Sequence, residues 1–261
     1  MFPAQDSPLT IQRPDESAPE KATEIGIGRL LTLLAEGEME LLGLLPGSSN
    51  YTLLARLSDG DLEALAVYKP QRGERPLWDF PDGTLCLREV AAFLLSQALG
   101  WPRIPPTVLR EGTHGLGAVQ LYVQADPNAH YLTFAHEHPA EGQRIALFDF
   151  MANNADRKSG HCLLDRGGRV WCIDHGVTFH SDYKLRTVIW EFARQPIPAP
   201  LVDALQALQA RLARSGPETR SLARLLSPRE MDALRHRLNY LLTIRIFPEP
   251  GPCRAIPWPP V

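Results

Sequence analysis

The 261-residue chain is poor in cysteine. Its four cysteines, Cys86, Cys162, Cys172 and Cys253, never approach the close-paired spacing of a zinc site. They are expected as buried apolar thiols, which fits a reducing, cytoplasmic setting. Basic charge is not in excess either: 27 Lys and Arg stand against 30 Asp and Glu, for a net charge of −3. That removes the general electrostatic reason to bind nucleic acid or an anionic membrane. There is no apolar run of about 18 residues to span a bilayer. The first residues lack a basic region followed by an apolar one, so no signal peptide is expected. No internal repeat occurs. What remains is an ordinary globular composition, 44% apolar and 22% charged, at a length suited to one domain or one two-lobed domain.

Hydrophobic spacing divides the chain. Residues 1–21, rich in Pro, Glu, Asp and Ser without periodicity, read as a flexible tail. Ile25, Ile27, Leu30, Leu31 and Leu34 follow helical spacing. "MELLGLLPGSSNYTLLARL" reads as strand, polar turn, strand, and "LEALAVYKP" as a further strand ending in Lys69 before Pro70. "TLCLREVAAFLLSQALG" is a long helix closed by Gly100 and Pro102. "GLGAVQLYVQAD" is a strand, central by its nearly continuous apolar run. Residues 126–142 read as a polar loop, and "QRIALFDFMANN" as a helix. A short hairpin comes next, over 162–173. Beyond residue 183 the chain reads as helical, with leucine stripes at Leu201, Leu205, Leu208, Leu212 and at Met231, Leu234, Leu238, Leu241. Ser227, Pro228 and Glu230 spell the start of the last helix. The predicted plan is α+β in two lobes: an N-terminal antiparallel sheet with one long helix (22–125), a mainly helical lobe (126–250), and a proline-rich tail (251–261).

Phosphoryl transfer from ATP needs few protein parts, because catalysis is mostly positioning and charge neutralisation. It needs a strand lysine on the phosphates, a helix carboxylate to orient it, a polar turn, an acid near the acceptor hydroxyl, and metal ligands. The chain offers them in order. Ser48, Ser49 and Asn50 sit in the first hairpin turn, where backbone N–H groups can face phosphate. Lys69 ends a strand, Glu89 lies on the first strong helix, Asp156 comes after a helix, and Asp174 comes after a strand.

"AVYKP", "REVAAF", "NNADRKSGH" and "CIDHG", in this order and spacing, resemble the kinase superfamily, and within it the atypical phosphatidylinositol 3/4-kinase branch. The whole is similar to a bacterial family of phosphatidylinositol 3/4-kinase-like proteins. "NADR" resembles that branch's catalytic loop, and "IDHG" its Asp-Phe-Gly equivalent. The resemblance implies a protein-kinase-like fold that binds ATP with Mg2+ or Mn2+. Lys69 would contact phosphates and Glu89 would pair with Lys69. Leu121, Tyr122 and Val123 would lie near the adenine, with Tyr122 and Val123 as contacts. Asp156 would be the catalytic acid and Asp174 the principal metal ligand. The branch's metal-binding Asn, five residues after the catalytic Asp, is His161 here. Imidazole suits magnesium less well than oxygen does. A short segment between Gly176 and a helix resuming near Lys184 is expected to favour a small acceptor, such as a lipid head group or small molecule, over a protein.

Each residue also has a plainer reading. Lys69 alone is a solvated strand end and Glu89 an exposed helix charge. Asp156-Arg157 alone is a turn cap, and Asp174-His175-Gly176 a strand exit. Their joint order favours the ATP site. His136, Glu137 and His138, with His130 nearby, lack a defined fourth ligand and read as surface loop rather than zinc site. Trp190 and Trp258 read as packing aromatics, since no basic patch surrounds them. The rival functional readings are a nucleotide-binding pseudokinase, silenced by His161, and a scaffold that binds no nucleotide.

Overall fold

The computed structural model describes residues 9–10, 24–46, 50–213, 216–252 and 254–261. The chain forms two compact units, one of residues 3–90 with 105–122 and one of 91–104 with 123–261. No helix among the described residues is long and apolar enough to cross a membrane.

In the first unit two short strands, β1 (Leu9–Thr10) and β2 (Glu24–Ile25), pair antiparallel. The rest of the 1–21 segment lies outside the described residues. Helix α1 (Ile27–Glu36) precedes β3 (Glu38–Leu44), β4 (Leu53–Ser58) and β5 (Glu63–Pro70). Helix α2 (Leu85–Leu99) is next, its residues 85–90 in this unit and 91–99 in the second, and then come β6 (Thr107–Gly112) and β7 (Gly115–Leu121). The sheet order is β3-β4-β5-β7-β6, antiparallel throughout. β5 is therefore the central strand, and β7 lies beside it. β6, which closes the edge, is short and comes after Pro105 and Pro106; its alternation was too brief to read from sequence.

Side-chain alternation decides what each sheet face does. Along β5, Ala64, Ala66 and Tyr68 are buried, and they join Leu30, Leu33 and Leu34 of α1 with Leu53, Leu57, Val119 and Leu121 in one core. Full burial of one leucine contributes about 1.5–3 kcal/mol, so this cluster is ample to hold α1 on the sheet. The intervening positions, Leu65, Val67 and Lys69, face the other way. Gly117 lies opposite Pro70 in the register. A Cβ there would stand 2.6 Å from the Lys69 carbonyl oxygen and 2.8 Å from Pro70 Cα, so the strand that carries Lys69 requires a glycine beside it.

The second unit holds α3 (Tyr131–Phe134), α4 (Pro139–Ala152), the β8–β9 hairpin (Cys162–Leu164, Val170–Cys172), α5 (Ala199–Leu212), α6 (Pro217–Ala223) and α7 (Pro228–Ile244). The leucine stripes of α5 and α7 are buried, and Ser227 and Glu230 form the reciprocal cap of α7. Two expectations are corrected. Residues 126–142 are not loop throughout: α3 is one helical turn inside them, and α4 already starts at Pro139, which suits a first helical position. Nor does helix resume near Lys184; it resumes at Ala199. The backbone of 186–188 is bound instead to the loop at 154–157, with Arg186 N on Asn154 O (2.9 Å), Arg157 N on Arg186 O (2.9 Å) and Val188 N on Arg157 O (3.1 Å). These strand-like bonds, together with Pro196 and Pro198, preclude a helix there. The stretch after Gly176 is therefore not short.

Cys86, Cys162 and Cys172 are buried free thiols, while Cys253 lies outside the described residues. Trp258 is not a packed aromatic: its side chain is 76% exposed.

Candidate active site

In the first unit Lys69 Nζ is paired with Glu89 Oε1. Lys69 is one-fifth exposed, whereas Glu89 is almost completely buried on a helix buried on nearly all sides. An ammonium on an otherwise apolar strand face is thus held by a carboxylate that is itself almost wholly withdrawn from solvent. The N-terminus of α2 is held in turn by Glu74, whose carboxylate accepts from Leu85 N (3.1 Å) and Cys86 N (2.8 Å). Burial, with Glu74 close by, pushes the Cys86 thiol up to about 12, which makes it inert. Asn50 closes the same corner, its Oδ1 accepting from Arg75 N (2.9 Å). Ser48 and Ser49 lie outside the described residues. Tyr122 is exposed, with its N–H on Leu65 O (2.9 Å), and the chain leaves the first unit between Tyr122 and Val123.

In the second unit α4 ends on Asn153, which takes a left-handed φ of 51° and caps the helix by donating to the Asp149 and Phe150 carbonyls. The side chains of the two asparagines then shape the loop beyond the helix. Asn153 Nδ2 donates to His180 O (2.9 Å) and Asp182 O (2.6 Å), and its Oδ1 accepts from Lys184 N (2.8 Å). Asn154 Nδ2 donates to Asp149 Oδ1 (3.0 Å), and its Oδ1 accepts from Asp156 N (3.0 Å). Asp156 is thereby aimed by its neighbour two residues before it.

Arg157 is the hub. It and Asp149 are both fully buried, with Nε 2.9 Å from Asp149 Oδ2 and Nη2 3.1 Å from Oδ1. Nη1 donates to His161 O (3.2 Å) and Ile173 O (2.9 Å). Nη2 lies 2.7 Å from His175 Nε2. A guanidinium can only donate, so Nε2 of His175 accepts and the ring's proton sits on Nδ1. Burial opposes the Arg157 charge, but Asp149 outweighs it and holds the pKa above its ordinary value.

One guanidinium thus fastens the backbone at His161 and at the residue before Asp174. Their side chains meet: His161 Nε2 is 3.2 Å from Asp174 Oδ2. His161 Nδ1 faces Lys158 N at 3.5 Å, which leaves Nε2 as the atom turned to the carboxylate. Asp174 is half-exposed and has a φ of 61°, a conformation with a steric cost that clusters at functional positions. Asp156 stands near enough to Asp174 to feel its charge. Burial, then repulsion from Asp174, raise the Asp156 pKa against the opposing pull of Lys158, whose Nζ is 3.4 Å away. Asp174 thus touches His161 directly and acts on Asp156 through its charge, and His161 and Asp174 stand at the two ends of the β8–β9 hairpin.

Two ligands at neighbouring corners of an octahedral ion with bonds near 2.1 Å stand about 3 Å apart. The 3.2 Å between His161 Nε2 and Asp174 Oδ2 matches that spacing, and it is equally a hydrogen-bond distance: with Nδ1 turned to the Lys158 N–H, Nε2 carries the ring proton and would release it on ligating an ion. Among the described residues no three His, Cys, Asp or Glu side chains form a ready-made metal cage. An ion here would complete its shell with water and phosphate oxygens, the ordinary habit of Mg2+. His136 and His138 do not join such a group: His138 sits at the start of α4 with its ring edge-on to Phe134. Sequence reasoning misses Asp149, Asn153, Asn154 and His175. Only the doubled asparagine at a helix end carries a signal for them.

No family model matches the chain. It is 39% identical over 262 residues to Protein Rv2133c of Mycobacterium tuberculosis (strain ATCC 25618 / H37Rv), which covers 87% of this chain and 94% of that protein. It is 29% identical over 150 residues to phosphatidylinositol 4-kinase gamma 4 of Oryza sativa subsp. japonica, covering 49% of this chain and 26% of that one. Against phosphatidylinositol 4-kinase gamma 2 of Arabidopsis thaliana the identity is 23% over 208 residues, covering 64% and 38%. The chain thus spans well under half the length of the plant relatives. Among solved structures, a Helicobacter pylori proinflammatory kinase, CtkA, superposes with a TM-score of 0.48 at 12% identity, over 82% of this chain and 94% of that one.

Proposed function

Because this chain belongs to the phosphatidylinositol 3/4-kinase-like family that includes the mycobacterial Protein Rv2133c, we propose that it is an ATP-dependent phosphotransferase. The observation that carries this reading is the Lys69–Glu89 pair. A buried carboxylate that holds a strand lysine by its ammonium is poor economy for stability alone, but it suits a group that must meet phosphate oxygens in one orientation. In this reading Lys69 binds the ATP phosphates and Tyr122 and Val123 border the adenine. Asn50 stays a brace for the corner behind Lys69. Asp156, with its raised pKa, accepts the acceptor hydroxyl's proton as the phosphoryl group leaves ATP. His161 and Asp174 would hold a divalent ion, which would supply positive charge to the phosphate oxygens. The acceptor is a lipid head group or small molecule, a choice now supported only by what the plant relatives are named.

ATP with Mn2+ at about a hundred times its Kd is expected to stabilise the protein by about 2.7 kcal/mol, a rise of roughly 5–10 °C in melting temperature for a chain of this size. Lys69→Met should remove most of that shift, and it should also lower the ligand-free melting point, because the buried Glu89 carboxylate loses the ammonium it faces. A wild-type protein that does not respond to ATP with either metal would rule out the reading.

His161 favours one alternative, a nucleotide-binding regulatory module without turnover. Imidazole prefers Mn2+ to Mg2+. We expect turnover to be faster with Mn2+, and His161→Asn to raise the Mg2+-supported rate about tenfold, the scale of one altered ligand. Steady-state ATP hydrolysis with each metal checks this. Nucleotide binding without turnover in either protein would select the regulatory module.

A further inference from the structure

We infer that residues 255–260 are a positioning strap for the loop that carries Asp156 and His161. The kinetic consequence of this role rests on the phosphotransferase reading; the structural one does not. The stretch was expected only as a proline-rich tail. It is instead bonded through its carbonyl oxygens at two places. Pro260 O accepts from Ser159 N (2.8 Å), in the middle of the loop between the two candidate site residues. Ala255 O accepts from Thr187 N (3.0 Å) and from Trp190 Nε1 (3.1 Å).

The two attachments converge on one piece of backbone. Thr187 is bridged in parallel to Arg157, and the neighbouring bonds, Arg157 N to Arg186 O and Val188 N to Arg157 O, tie residues 186–188 to the loop. The strap therefore holds residue 159 directly and residue 157 through one intervening segment. Ser159 is fully buried and its hydroxyl has no partner among the described residues. What fixes it is its main chain, and the partner of that N–H is Pro260. Pro257 is buried, while Ile256 and Trp258 point outward, so the strap is seated by backbone and proline rather than by its largest side chains. Prolines at 257, 259 and 260 suit this work. They have no N–H to satisfy, and their fixed φ reduces the disorder that docking must remove. The loop needs such help because its short internal bonds, Lys158 N to Asp156 O (3.0 Å) and His161 N to Lys158 O (3.2 Å), are local turns.

The test uses the full chain with residues 255–260 replaced by Gly and Ser at equal length, and separately Trp190→Phe, which keeps the ring and removes one donor. Amide exchange at Ser159 should quicken about a hundredfold in the replacement, with His161 changing alongside it and the β4–β5 amides unchanged as an internal control. With Mn2+ and ATP, kcat should fall on the order of tenfold to a hundredfold while KM for ATP stays within about twofold, the signature of a displaced loop rather than a lost binding group. Trp190→Phe should show the same split, reduced to a few-fold. A synthetic peptide of residues 254–261, added to the replacement, should restore kcat in a saturable way, which no general loss of folding would allow. Unchanged exchange at Ser159 would overturn the strap, as would faster exchange with unchanged kcat. A rise in kcat would overturn it in favour of an inhibitory cover. A wild-type protein without nucleotide binding would remove the phosphotransferase reading, and exchange at Ser159 and His161 would still decide the strap.

Discussion

Arg157→Met is expected to destabilise the protein by about 3–5 kcal/mol, the usual result of removing one partner of a buried ion pair. That is a large share of the roughly 5–15 kcal/mol by which a domain is stable, and a denaturant titration should register it as a much earlier midpoint at unchanged slope. The cost has a definite origin. Asp149 would keep only Asn154 as a side-chain partner, and the Ile173 carbonyl and His175 Nε2 would lose a buried donor. Adding Asp149→Leu should recover only part of the loss, because the orphaned acceptors remain. Arg157→Lys should retain more stability than Arg157→Met yet still weaken Mn2+ binding, since an ammonium cannot reach Asp149, His161 O and Ile173 O together. If Arg157→Met were as stable as wild type, the guanidinium would not be the fastening that holds both ends of the hairpin.

Asp174→Asn should leave the melting temperature within about 2 °C of wild type, because the side chain is half-exposed and Asn tolerates a left-handed φ. Turnover should nevertheless fall by about three orders of magnitude, equivalent to about 4 kcal/mol of lost transition-state stabilisation. Asp174→Gly separates the two roles of the position: it relieves the backbone and should raise thermal stability slightly while turnover stays lost. Metal-dependent nucleotide binding that survives both changes would reduce Asp174 to a residue that turns the chain.

Much of this was legible in the sequence, and where it was not the reason is physical. Strands β3, β4 and β5 announced themselves by strand runs bounded by turn residues, β7 by its nearly continuous apolar run, and α5 and α7 by leucine spacing and a capping box, because those signals are local. The pairing of Lys69 with Glu89 was foreseeable from motif order together with an alternating strand and a strong helix. Arg157 stands within a motif, but its role is not readable there. A guanidinium that bonds carbonyls at the two ends of a hairpin leaves no trace in spacing, and Asp149 looks like one more polar residue on a helix. The segment after Gly176 is misread for the same reason. Its backbone is satisfied by the 154–157 loop, a distant partner that periodicity cannot register, so apolar residues at 185, 188 and 189 pass for helix.

The anchorage of α2 has a consequence for control. Glu89 follows Lys69 by twenty positions, and the connection from β5 to α2 is laced shut: Glu74 holds the first turn of α2, Gln71 Nε2 holds Gly83 O (2.6 Å), and Asn50 and Tyr51 pin residues 75 and 73. A helix moored so near the lysine it serves has little room to swing. Its salt link then behaves as a fixed fitting rather than a latch. An on–off device for this protein would have to act where the backbone is held by longer reaches of chain, among the loop at 156–161 and the stretches that brace it.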